Sequence, residues 1–174
     1  AVAEIPGLQR LLFFTDAAVI PYPTTEQFHA QLGYIADTYR SVTGNDCPRV
    51  ALTHCTEKVS EKFPLTLSYE ELKKEAREGA FGSIEVDGPM DVKTACDAES
   101  GAIKGIASPV VGNADILIFP DIEAGNTFYK AITLFAKATV AGMLAGTTAP
   151  VVVTSRADTV ESKFYSLATA CMKA

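Results

Sequence analysis

Short apolar runs punctuate this chain at residues 11–15, 50–53, 83–86, 116–119 and 151–154, and amphipathic stretches separate them. That alternation of short runs and helical spacing predicts an α/β fold, with a mixed, largely parallel sheet flanked by helices. The clearest helix follows the first run. Thr24 and Gln27 read as a capping box, and Phe28, Leu32, Ile35, Ala36, Tyr39 and Val42 recur at helical spacing until Gly44. A second helix is expected behind Ser68 and Glu71, with Leu72 and Ala76 inward, Lys73, Lys74 and Arg77 outward, and Gly79 at its end. A last helix, from about Val160, carries Phe164, Leu167, Ala168 and Cys171 on one face, with Asp158 and Glu161 spaced as a capping pair. Residues 58–64 read as a loop, and Asp87-Gly88-Pro89 as a turn.

Composition narrows the field. A chain of 174 residues that is 48% hydrophobic has ample material for a core. The net charge of −6 and a pI near 4.9 exclude a broad basic nucleic-acid surface. Four cysteines show no metal-ligand spacing, so free thiols in a reducing cytoplasm are expected and no metal is implied. The Ala/Gly-rich run over 138–153 is shorter than the roughly 20 residues a membrane helix needs and contains Pro150, so no membrane partner is expected. His29 and His54 lack a sequence context for a triad, and no Walker lysine or GxGxxG is present.

Two strand-turn-helix units carry the candidate chemistry. In the first, the apolar run 116–119 stops at Pro120 and opens into Asp121-Ile122-Glu123-Ala124-Gly125-Asn126, with Asn126 expected to cap the next helix and Lys130 one turn beyond. In the second, Val151-Val152-Val153 leads into Thr154-Ser155-Arg156-Ala157-Asp158 and the last helix. Helix starts present unpaired N–H groups to an anion, and a hydroxyl beside a guanidinium suits phosphate or an oxyanion.

These motifs carry a resemblance. Ser108-Pro109-Val110-Val111-Gly112-Asn113-Ala114-Asp115, Pro120-Asp121-Ile122-Glu123-Ala124-Gly125-Asn126 with Tyr129-Lys130, and Thr154-Ser155-Arg156-Ala157-Asp158 closely resemble the phosphate acetyl/butyryltransferase family, the last motif its butyryl branch. Echoes upstream are Thr15-Asp16-Ala17-Ala18-Val19, Pro48-Arg49-Val50-Ala51-Leu52 and Val86-Asp87-Gly88-Pro89. The resemblance implies an isopropylmalate-dehydrogenase-like (phosphotransacylase) architecture and a cytoplasmic homo-oligomer, by the family's habit a dimer. The implied substrates are acyl-CoA and phosphate, with no separate cofactor. Family members are longer and this chain starts at Ala1 rather than Met, so an absent N-terminal half is expected. On that pattern residues 1–146 form the second domain and 147–174 return to complete the first.

The resemblance also implies roles. Ser155 acts on the transition state and Arg156 on phosphate. Where the acetyl branch has an aspartate seven residues after the serine, this chain has Ser162; Asp158 and Glu161 are nearby carboxylates suited either to base or to capping duty, and the base stays unassigned. Asp121, Glu123, Gly125, Asn126 and Lys130 border the expected substrate cleft, and Ser108, Gly112 and Asn113 read as a loop lining it or as an ordinary connection. The leading expectation is transfer of a short acyl group, butyryl above others, from coenzyme A to phosphate in a ternary complex. The alternative is a non-catalytic module of the same fold that senses acyl-CoA or oligomerises.

Overall fold

Alternation along each central strand decides which side chains meet which helices. The computed structural model describes residues 1–173. Its strands and helices run β1 Val2–Glu4, β2 Leu12–Thr15, α1 Thr25–Thr43, β3 Arg49–Thr53, α2 Leu65–Arg77, β4 Glu85–Met90, α3 Val92–Cys96, α4 Ala98–Lys104, β5 Ile116–Ile118, α5 Ile122–Phe135, β6 Thr139–Ala141 and α6 Val160–Lys173. The strands form one six-stranded sheet in the order β4-β3-β5-β2-β1-β6. Neighbours from β4 to β2 are parallel, whereas β1 is antiparallel to both β2 and β6.

Successive residues of a strand point to opposite faces. Phe13, Val50, Leu52, Ile116 and Ile118 therefore fill one core with Phe28, Leu32 and Tyr39 of α1 and Tyr69 and Leu72 of α2. Leu12, Phe14, Ala51 and Leu117 fill the other with Ile132 of α5 and Ala95 of α3, and Phe128 and Tyr129 pack against them. Helix, sheet and helix make three layers. The predicted α/β sheet is what forms.

α1 forms as its spacing requires. Thr24 accepts from the Gln27 amide while the Gln27 side chain accepts from the Thr24 amide, and Gly44 closes the helix in the left-handed region at φ 71°. Buried Asp115, on the residue before β5, accepts from the Arg49 amide at 2.9 Å and from both Nε and Nη2 of Arg49 at 2.9 and 3.0 Å. One carboxylate thereby joins the starts of β3 and β5, and these bonds raise the Arg49 pKa.

Several expectations need correction. α2 starts at Leu65, behind Pro64, not at Ser68–Glu71: the Thr66 hydroxyl donates to Phe63 O at 2.7 Å and fixes the earlier start. Lys73 is not outward but half-buried, bonded to Glu70 at 2.8 Å and Asp87 at 3.0 Å. Asp87-Gly88-Pro89 is no turn; it lies within β4, where a Cβ on Gly88 would come 2.5 Å from Leu52 O. Residues 151–154 form no strand, because β6 already occupies the sheet edge; Val151 only bridges Leu144. β1, β6, α3 and α4 are additional elements. Among the described residues no helix is long and apolar enough to cross a membrane.

Candidate active site

The carboxyl ends of β2 and β5 open side by side, the place where open α/β sheets bind ligands. Phe119 N donates to Thr15 O at 2.8 Å, so the two exits are tied together. Asp16 then folds its own loop, accepting from the amides of Ala18, Val19 and Ile20 at 2.8, 3.1 and 2.7 Å. The first turn of α5 seats on that loop. Asn126 Nδ2 donates to Ala17 O at 2.9 Å, and Tyr22 OH donates to Glu123 at 2.8 Å. Gly125 is buried against the Asp16 carbonyl. The cap of α5 is Asp121, accepting from Ala124 N at 2.7 Å with an extended backbone, not Asn126. Both residue types cap well, but Asp121 is where the strand exit ends and Asn126 is already a turn inside.

The Ser155–Asp158 turn reaches the same helix further along. Asp158 N donates to Ser155 O at 3.1 Å, and Ser155 N donates to Asp158 Oδ2 at 2.7 Å. The other oxygen, Oδ1, accepts from Tyr129 OH of α5. Burial, followed by that bond, raises the Tyr129 pKa, so the phenol remains a donor through the physiological range. Lys130 Nζ sits 3.8 Å over the Tyr129 ring. Ser155 is half-buried and Arg156 is exposed. Asp158 and Glu161 do not cap α6 as expected. Thr159 does, accepting from Ser162 N at 3.1 Å, because the Asp158 side chain is turned back onto the loop.

The structure thus brings Ser155, Asp158 and Lys130 together around Tyr129, and places Asp121 at the cap and Glu123, Gly125 and Asn126 within the first two turns of the same helix. It does not bring Ser108, Gly112 and Asn113 to them. That loop enters β5 from its amino end, whereas Asp121 follows its carboxyl end. Its bonds run within the loop and to neighbouring segments: Val110 N donates to Ser108 Oγ at 3.2 Å, Asn113 Nδ2 to Val111 O at 3.2 Å, Gly112 N to Thr94 O at 3.0 Å, and Arg10 Nη2 to Gly112 O at 3.3 Å. Asp16 and Tyr129 are site-forming residues whose roles the sequence did not reveal, although both stand inside motifs that drew attention.

Beside Thr15 and Asp16, on the α1 face, lies a mostly apolar cavity of about 180 Å³ lined among others by Phe13, Ile20, Ile35 and Leu144. Among the described residues no group of three or more His, Cys, Asp or Glu side chains could hold a metal. His54 accepts from Thr56 N at 3.3 Å and its pKa is lowered by burial, a structural histidine.

A largely parallel six-stranded sheet flanked by helices in this order is the phosphotransacylase form of the α/β class. The solved branched-chain phosphotransacylase from Enterococcus faecalis V583 superposes with a TM-score of 0.87 at 32% identity, covering 99% of this chain and 62% of that one. The phosphate acetyl/butaryl transferase family model matches residues 1–171, and the chain belongs to that family. It is 42% identical over 170 residues to the phosphate acetyltransferase of Thermotoga maritima, covering 97% of this chain and 57% of that protein. It is 39% identical over 170 residues to the probable phosphate butyryltransferase of Bacillus subtilis, covering 98% and 56%. The chain spans about half the length of these curated relatives.

Proposed function

We propose that the protein containing this chain is a phosphate acyltransferase that moves a short acyl group between coenzyme A and phosphate. In the forward direction a phosphate oxygen attacks the thioester carbonyl carbon and forms a tetrahedral oxyanion. Collapse breaks the C–S bond, releases acyl phosphate, and passes the phosphate proton to the departing thiolate. Negative charge grows at two places, so the chemistry needs fixed donors and a cation rather than a covalent intermediate.

The observation that carries this reading is the Ser155-Arg156 pair, held on a turn that is pinned to α5 by Asp158. Ser155 Oγ is the donor to developing charge and Arg156 the phosphate grip. Lys130 and the first turn of α5 frame the substrates. The likeness of the Thr154-Ser155-Arg156-Ala157-Asp158 motif to the butyryl branch supports butyryl or a similar chain as the acyl group. We place the enzyme in the cytoplasm as a homo-oligomer, a reading that four free cysteines and several exposed apolar side chains support. Residues 1–146 form its central domain, and 147–174 complete another, in which the outward apolar face of α6 is covered.

Steady-state kinetics of the intact protein test the reading. Arg156→Ala is expected to raise KM for phosphate far more than KM for CoA, by roughly 10- to 150-fold for the loss of a charge-assisted contact of about 1.5–3 kcal/mol. Ser155→Ala is expected to lower kcat on the order of 10²-fold with folding intact. Equal small changes in both KM values, together with a wild-type kcat for Ser155→Ala, would remove the pair from the site.

A further inference from the structure

We propose that Tyr129 is the positioning residue of the Ser155-Arg156 turn, acting through Asp158. The inference rests on the acyltransferase reading above and assigns a part to residues that do not themselves touch substrate. An exposed loop ahead of a helix has no intrinsic reason to hold one geometry, and misplacement by about 1 Å costs on the order of 10²-fold in rate. Something rigid must define where Ser155 sits.

The rigid object is the Tyr129 ring. It packs on the core beneath α5, with its centroid 6.4 Å from that of Phe14, and Lys130 Nζ covers it at 3.8 Å. From that fixed point its hydroxyl donates to Asp158 Oδ1, and Asp158 Oδ2 accepts the Ser155 amide at 2.7 Å. A carboxylate accepting on both oxygens is a two-ended tie, one end on the core and one on the backbone of the reactive serine. The bond from Asp158 N to Ser155 O at 3.1 Å closes the turn on itself.

This arrangement gives Asp158 a task other than removing a proton from the thiol. Both of its oxygens are engaged in holding the turn, and the hydroxyl that holds one of them comes from a different element. A phenylalanine at 129 would keep the packing and lose the tie.

A double-mutant cycle in the intact protein separates the two tasks. Y129F is expected to lower kcat roughly tenfold to hundredfold, the loss of a hydrogen bond to a charged acceptor, with KM for phosphate within about twofold and an unchanged unfolding midpoint. D158N is expected to lower kcat at least as far, and the double variant to be no slower than D158N alone. Multiplying losses, or a wild-type kcat for Y129F, would overturn the proposal. Hydrogen exchange decides it without turnover. The Ser155 amide is expected to exchange at least roughly tenfold faster in D158N than in wild type while the β2 and β5 amides keep their rates; unchanged Ser155 exchange overturns the tie even if Y129F fails to fold. A wild type that releases no CoA in the presence of phosphate would sink the acyltransferase reading and leave the exchange measurement to judge the positioning.

Discussion

Gly125 shows how little room separates the two strand-exit turns. A Cβ built there would lie 2.0 Å from the Asp16 carbonyl oxygen, which is backbone and cannot swing aside. Alanine would gain about 0.5–1 kcal/mol of helix preference yet incur about 1–3 kcal/mol of overpacking, so repulsion wins. Gly125→Ala is expected to lower unfolding free energy by about 1–2 kcal/mol in a urea titration and to loosen the Asn126 to Ala17 contact. Gly33, inside α1, is the control: its Cβ would meet only Phe81 at 3.9 Å, so Gly33→Ala is expected to stabilise by about 0.5–1 kcal/mol. An equal loss in both variants would discard the close-approach argument. Asp115 is a stronger case. Removing its carboxylate leaves the Arg49 amide without a partner and the Arg49 guanidinium to solvent, and Asp115→Ala is expected to lose about 1–3 kcal/mol. The sequence brought out the serine, arginine and glycine of the candidate site because they stand in the motifs that carry the resemblance. It left Tyr129 unassigned because a phenol can donate or accept, and only its partner says which is in use.

At the scale of elements, caps and local pairs set the boundaries. Thr24→Ala should cost about 1 kcal/mol, since it removes one half of the α1 capping box. Asp91 caps α3 at Thr94 N, 2.7 Å away, and pairs with Lys104. Burial pushes the Asp91 carboxyl up, but the bonds from Lys104 and Thr94 more than reverse that and hold its pKa near 2, down from 3.8. A depressed carboxylate contributes stability above its ordinary pKa and loses it as pH falls. This contribution should therefore fade between about pH 3.8 and pH 2. The side chain is 37% exposed, so solvent screening keeps the effect small. Urea midpoints across that window are expected to fall less steeply for Asp91→Asn than for wild type, and parallel curves would remove Asp91 from the account. α1 was legible beforehand by its period, and the strands around 12–15, 49–53 and 116–118 as apolar runs. β1, β6 and the short α3 were not, since each is too brief and carries too few large apolar residues to stand out.

On the scale of the whole molecule, α6 presents an exposed apolar face. Its inner side buries Ser166, Thr169 and Ala170, while Val160, Phe164 and Leu167 point outward at 83%, 64% and 58% exposure. Such a face is worth roughly 25 cal/mol per Å² once covered. The 174-residue chain by itself is expected to self-associate through it in light scattering, and Phe164→Lys with Leu167→Lys to shift the mass toward monomer. A monomeric wild type at high concentration would contradict this.

The sequence by itself determined the layer order and the motif chemistry. Apolar runs of alternating period and a capping box are local properties, and a Ser-Arg pair needs no fold to be recognised. Tertiary structure alone decided which candidates meet. Ser108, Gly112 and Asn113 stand near the motif in the chain, but the loop enters β5 at one end and Asp121 follows the other. Asp158 and Tyr129, far apart in the chain, meet because the turn that precedes α6 arrives against α5, and Asp158 holds Ser155 there. The direction of a side chain such as Asp158, toward its own helix or back onto its loop, depends on a donor supplied from elsewhere, and no local pattern encodes that donor.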